Sequence, residues 1–98
     1  MRSLLRRYWK EGFMETYKHL IISRDGLHAR IAVYLAKICR DAESTVEVRN
    51  KERRANGKEV FSVMNLYANQ GDELEFLVDG SDEEEILGQI AVFCGEYL

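Results

Sequence analysis

The stretch that carries chemistry is Asp25-Gly26-Leu27-His28-Ala29-Arg30. It lies between an apolar, β-branched run and the start of a helical pattern. His28 therefore falls where the cap of that helix should be. The first-turn N–H groups of a helix have no partner within it and favour anions, phosphate above all. An imidazole at that place is a nucleophile held beside an anion site. Arg30 can fork onto phosphate oxygens, and Gly26 permits a sharp approach into the helix. These are the parts needed to accept a phosphoryl group on a ring nitrogen. The chain has no nucleotide-binding glycine loop and no carboxylate–metal cluster. The group must then arrive from another protein. Spacing alone leaves a second reading open, in which His28 is only a polar residue at a helix start and Arg30 is solvated.

The surrounding elements have to position that segment. Tyr17 to Ser23 reads as a strand, broken by Arg24-Asp25-Gly26. From Ala29 to Arg40 the residues Ile31, Ala32, Leu35, Ile38 and Cys39 recur at helical spacing. Thr45 to Val48 alternates as a half-buried strand, and Arg53-Arg54-Ala55 suits a short edge strand with protective charge. Glu59 to Tyr67 predicts a second helix, with Val60, Val63, Met64 and Tyr67 on one face. Leu74 to Val78 predicts a strand. Ser81-Asp82-Glu83-Glu84 has the form of a capping box, with Ser81 as the cap and Glu84 reaching back. Ile86, Leu87, Ile90, Val92, Phe93 and Tyr97 then form an apolar helix side. The order is βαββαβα. It implies an α+β, open-faced sandwich: a four-stranded antiparallel sheet with three helices on one face.

Composition narrows the function classes. Ninety-eight residues with 46 % hydrophobic and 32 % charged side chains make one ordinary globular domain. No apolar run is long enough for a membrane span. A net charge of -3 argues against non-specific nucleic-acid binding. Cys39 and Cys94 are too few for a disulfide framework and read as reduced core thiols of a cytoplasmic protein. With His19 and His28 they match no standard zinc spacing. His19 reads as a solvent-face strand residue. Charge is unevenly spread: Arg49, Lys51, Arg53, Arg54 and Lys58 meet only Glu52, whereas Asp72 to Leu98 holds nine acids and no Lys or Arg. The two regions read either as solvated faces that attract each other or as a partner site.

Gly26-Leu27-His28-Ala29-Arg30 resembles the Gly-aliphatic-His-x-Arg signature of HPr, the histidine-containing phosphocarrier of the bacterial phosphotransferase system. Lys58 to Leu66 resembles that family's second-helix segment, and Gln70-Gly71-Asp72-Glu73 its loop into the last strand. The resemblance covers about residues 15–98 and implies the same βαββαβα fold. It implies that His28 is the phosphorylated histidine and Arg30 the phosphate-stabilising arginine. It also implies enzyme I as donor, IIA domains as acceptors, no cofactor and no bound metal. By the same match, partners dock on Val33, Val60, Phe61 and Met64. Phe61 should be the most exposed of these, with Val63 and Leu66 in the core. Neither stable membrane insertion nor nucleic acid enters this picture, and a monomer is expected.

Two positions depart from the family pattern. Ile31 stands where the signature has proline; it should loosen the helix start and add one N–H near the phosphate site. Glu59 stands where Gram-positive members carry a regulatory serine. It places a fixed negative charge at a helix N-terminus and should share a surface with His28. These departures leave open a divergent regulatory or interaction module of the same family. Residues 1–13 have no counterpart in the family fold. Their Leu4, Leu5, Tyr8 and Trp9 are helically spaced among basic residues, a pattern of membrane surfaces or partner helices. Lys10-Glu11-Gly12 can be encoded by a purine-rich ribosome-binding sequence just upstream of Met14. Met14 is therefore the expected start of translation, and residues 14–98 the expected domain.

Overall fold

The computed structural model describes residues 15–98, so the expectations for residues 1–13 and for Met14 fall outside it. The elements are β1 (Glu15–Leu20), α1 (Ala29–Arg40), β2 (Thr45–Asn50), β3 (Arg53–Asn56), α2 (Val60–Met64), β4 (Glu73–Asp79) and α3 (Glu83–Tyr97). They form one four-stranded sheet of order β1-β4-β2-β3, with every neighbouring pair antiparallel. The expected βαββαβα open-faced sandwich is the observed fold.

Period-two alternation sets the two faces of the sheet. Leu74, Phe76 and Val78 of β4 lie beside Val46 and Val48 of β2, and all five are buried under the helices. Leu35 and Ala36 from α1, Val63 from α2 and Ile90 from α3 close the core from above. The other face is charged. The register places Lys18, Glu75, Arg49 and Arg54 in one row across the four strands. Glu47 accepts from Arg49 Nε at 2.5 Å and lies 4.0 Å from Arg54 Nε. The basic stretch is thus largely occupied within the domain. Lys51 pairs with Asp72 at 3.4 Å, and Lys58 Nζ donates to Ala42 O at 3.0 Å.

Several boundaries differ from the sequence reading. β1 ends at Leu20, not Ser23, because the chain then changes partners. Ile21 N–H donates to Asp72 O, while the N–H groups of Ile22 and Ser23 both donate to the carbonyl of Leu98. α2 is five residues long instead of nine. Its end tightens into three-residue turns, with Leu66 N–H on Val63 O and Tyr67 N–H on Met64 O, and Tyr67 then takes a φ of 49°. His19, expected on the solvent face, lies on the helix-facing side of β1. Its ring stacks on Tyr17 at 6.4 Å, and its Nε2 is buried. Cys39 and Cys94 are free and buried, as expected, and burial pushes both thiols up to about 12.

The cap residue of the last helix differs from the expected Ser81. α3 starts at Glu83 with Asp82 as its cap residue, and Asp82 makes no side-chain cap bond. Its carboxylate is recruited by the connection between α1 and β2. It accepts the N–H groups of Glu43 and Ser44 at 2.9 and 3.0 Å, and also the Ser44 hydroxyl. Ser81 Oγ donates to Glu43, and Glu83 Oε1 accepts from Gly80 N–H at 3.0 Å. One carboxylate here satisfies three donors, which outweighs the single donor of a cap bond. The Ser44 and Glu43 bonds hold the Asp82 carboxyl below its usual range.

Asp82→Ala should therefore destabilise the domain by about 1–2 kcal/mol in denaturant titration at pH 7. A depressed folded pKa stabilises above the unfolded value and loses that contribution as pH falls through the folded value. The deficit of the variant should therefore shrink below about pH 4.

Candidate phosphoryl-transfer site

The site is built where the chain enters α1. Gly26 has a φ of 63°, which suits glycine alone without strain. A Cβ there would lie 2.6 Å from Ala68 O and 2.9 Å from Asn69 Cα. That close approach lets Leu27 N–H donate to Ala68 O at 3.0 Å, with the Leu27 side chain buried beneath. The next residue, His28, is extended (φ -81°, ψ 177°) and caps α1 through its backbone alone. Ala32 N–H donates to His28 O at 2.9 Å, which closes the first helical turn. The half-exposed imidazole makes no side-chain cap bond. The N–H groups of Ala29, Arg30 and Ile31 precede that first bond and open toward the imidazole end of the helix. α1 has no acid in its first turn, and Arg30 is exposed there.

The other positions singled out by sequence fall in different places. Ile31 does supply an N–H where proline would not. Its side chain is 3 % exposed and packs into the core. Phe61 is 79 % exposed and Val33 48 %. Val60 and Met64 are partly buried against the core, and Val63 and Leu66 are fully buried. Of the four expected docking residues, Val33 and Phe61 are therefore the exposed ones, and Val60 and Met64 pack against the core. α1 and α2 run antiparallel: the start of α1 bonds Ala68 beyond α2, while Arg40 Nε donates to Lys58 O just before α2 at 2.9 Å. Glu59, the exposed cap residue of α2, thus stands at the far end of α1 from His28. Twelve helical residues separate the two ends by about 18 Å.

Sequence reasoning missed the segment that holds the histidine loop. The sequence pattern over residues 67–72 shows only the end of a helix and a loop. Asp72 gathers it: its Oδ2 accepts from Asn69 N–H at 2.9 Å and from Asn50 Nδ2 at 3.3 Å. The Asn69 bond, aided by Asn50 and Lys51, holds the Asp72 carboxyl below its usual range. Gln70 Nε2 donates to Ile22 O at 3.0 Å and Gly71 N–H to Ile21 O at 2.8 Å. The signal available was the pairing of Gly26 with the Asn69-Gln70-Gly71-Asp72 turn. Among the described residues, no group of three or more His, Cys, Asp or Glu side chains could hold a metal ion, and no helix is long and apolar enough to cross a membrane.

A half-exposed imidazole at the start of a helix that has no acid in its first turn is the arrangement the chain offers there. The family described as "PTS HPr component phosphorylation site" matches residues 16–95. The phosphocarrier protein HPr of Lysinibacillus sphaericus is 34 % identical over 83 residues, covering 85 % of this chain and 94 % of that protein. The HPr of Treponema pallidum is 33 % identical over 70 residues, covering 71 % and 80 %. The solved histidine-containing phosphocarrier protein of Mycoplasma superposes with a TM-score of 0.78 at 28 % identity, covering 81 % and 90 %. The chain belongs to the HPr family of phosphocarrier proteins of the phosphotransferase system. It is a phosphoryl carrier and not a catalyst, and its partners are those of the family, enzyme I and IIA domains. Membership also assigns it the cytoplasmic location of the family.

Gly26→Ala should force apart the Leu27–Ala68 contact, because the new Cβ meets backbone and the φ is left-handed. A loss of more than about 2 kcal/mol in stability is expected. Amide exchange at Leu27 should accelerate more than exchange in the sheet. A uniform loss of protection would mean that Gly26 is not specific to this loop.

Proposed function

We propose that His28 takes the phosphoryl group from phosphorylated enzyme I and passes it to IIA domains. The observation that supports this reading is the placement of His28. It caps α1 by its backbone, its imidazole makes no cap bond, and open N–H groups and Arg30 stand beside it. A ring nitrogen lone pair attacks phosphorus as the donor's P–N bond breaks in line. The charge on the transferred group spreads over its equatorial oxygens. The helix N–H groups and the guanidinium of Arg30 receive that charge. The second transfer runs the same step in reverse toward the acceptor. Val33 and Phe61 supply the exposed apolar contact for each partner, with Val60 and Met64 backing them. The protein acts as a monomer.

Glu59 holds a permanent negative charge where some relatives carry a regulatory serine. A carboxylate gives one charge and two oxygens, against about -1.5 to -2 charges and three oxygens for a phosphoserine. The imitation is therefore partial. Because Glu59 lies at the far end of α1, it acts on the rim of a docked partner and not on the phosphoryl group. Salt screens such a charge within about 8 Å at physiological ionic strength.

His28→Ala should abolish labelling by enzyme I and phosphoenolpyruvate, while His19→Ala retains it. Stability should change by no more than about 0.5 kcal/mol, since the imidazole makes no cap bond. Labelling of His28→Ala would overturn the assignment. Glu59→Ser should raise the transfer rate from enzyme I by roughly twofold to fivefold at low salt, with the gain shrinking as salt rises. An unchanged rate at every ionic strength would remove Glu59 from docking.

A further inference from the structure

Tyr67 is a residue that neither the fold nor the phosphoryl site requires. Its φ of 49° lies in the left-handed region, where a bulky side chain is a genuine outlier. Glycine or asparagine would take that conformation with little strain. The strain is not offset by burial, because Tyr67 is 63 % exposed. Strain held in place without a packing return points to function. The ring is nevertheless held: the Arg53 guanidinium lies over it, 4.9 Å from its centroid. Arg53 is exposed on β3, an edge strand of the sheet, and makes no ion pair among the described residues. Its guanidinium edge remains open to a carboxylate.

The place of this pair matters as much as its chemistry. The residue after Tyr67 is Ala68, whose carbonyl holds Leu27, and Asn69 Nδ2 donates to Tyr67 O at 3.2 Å. The backbone of Tyr67 is therefore continuous with the loop that seats His28. Beside the ring lies a hollow of about 600 Å³ between the turn at 51–52 and the loop at 65–72. Lys51, at the mouth of the hollow, also has a left-handed φ, of 58°. Of the two acids there, Asp72 is occupied by Lys51 and Asn69, and Glu52 is exposed on the turn.

We propose that Tyr67 and Arg53 form a second docking arm, separate from the Val33 and Phe61 surface, for the protein that delivers the phosphoryl group to His28. The arm fits a partner segment in which a carboxylate adjoins an apolar side chain. The carboxylate takes the edge of Arg53, and the apolar group lies on Tyr67 above the hollow. The delivering partner is favoured because it arrives with a phosphate dianion, and the exposed cations Arg24, Arg30 and Arg53 attract that charge and the carboxylate alike. The proposal rests on the reading of His28 as acceptor.

The test uses the full chain with Tyr67→Gly, Tyr67→Phe and Arg53→Gln. Removing a strained aromatic should raise Tm in Tyr67→Gly by about 4 °C, which separates loss of contact from loss of fold. The same variant should lose about tenfold in kcat/KM for phosphoryl transfer from enzyme I, carried by KM, as for an aromatic interface anchor. Binding of unphosphorylated enzyme I, followed by calorimetry, should weaken by the same factor. Tyr67→Phe should match the wild type, and Arg53→Gln should fall between. Wild-type KM and affinity in Tyr67→Gly would overturn the arm while leaving His28 in place. If enzyme I labels the wild type at a residue other than His28, the reading of the site fails. The calorimetric comparison still decides whether Tyr67 contacts enzyme I.

Discussion

The bond from Leu27 N–H to Ala68 O is the constraint on which the rest of the site depends. It joins the loop before α1 to the segment after α2, two stretches about forty residues apart in sequence. It can form only because Gly26 lets the backbones touch; any Cβ would meet the Ala68 carbonyl. Once it is made, His28 has little choice of position. Its backbone must turn into α1, its carbonyl must close the first turn, and its ring is left beside open N–H groups. Asp72 holds the far side of the contact by fixing Asn69.

Charge placement reinforces this geometry. The two long helices begin differently. α3 opens with Glu83, Glu84 and Glu85, so its positive end is met by its own acids. α1 opens with no acid, and its basic residues Lys37 and Arg40 sit in the last turn. The positive end of α1 therefore meets no acid of its own first turn. Of the cations of the middle stretch, Arg49 pairs with Glu47 on the face of the sheet away from the helices, and Lys51 pairs with Asp72 in its loop.

Much of this was legible in the sequence. His28 and Arg30 show their relation to a helix start directly, because the pattern from Ile31 to Cys39 fixes the helix and the glycine before it marks the turn. The four strands could be read from alternation, although β1 was placed two residues late and carried three too far. What could not be read was any contact whose partner is distant. Asp82 looked like part of a capping motif, but its carboxylate answers Glu43 and Ser44, some forty residues earlier. His19 alternates with Lys18 and Leu20 in a way that fits either face until Leu74 is known as its register partner. The apolar spacing of Val63, Met64 and Tyr67 suggested a longer helix. The left-handed turn at Tyr67 ended it, and no local residue preference announces that turn.

A phosphoryl group on His28 should sit against the first turn of α1. The most direct measurement follows the backbone amide resonances of Ala29, Arg30 and Ile31 as the protein is phosphorylated by enzyme I and phosphoenolpyruvate. A phosphoryl group accepted by these N–H groups should move all three strongly downfield, with Leu27 less affected and the amides of α3 unchanged. Stoichiometric phosphorylation that leaves these three resonances in place would contradict the account.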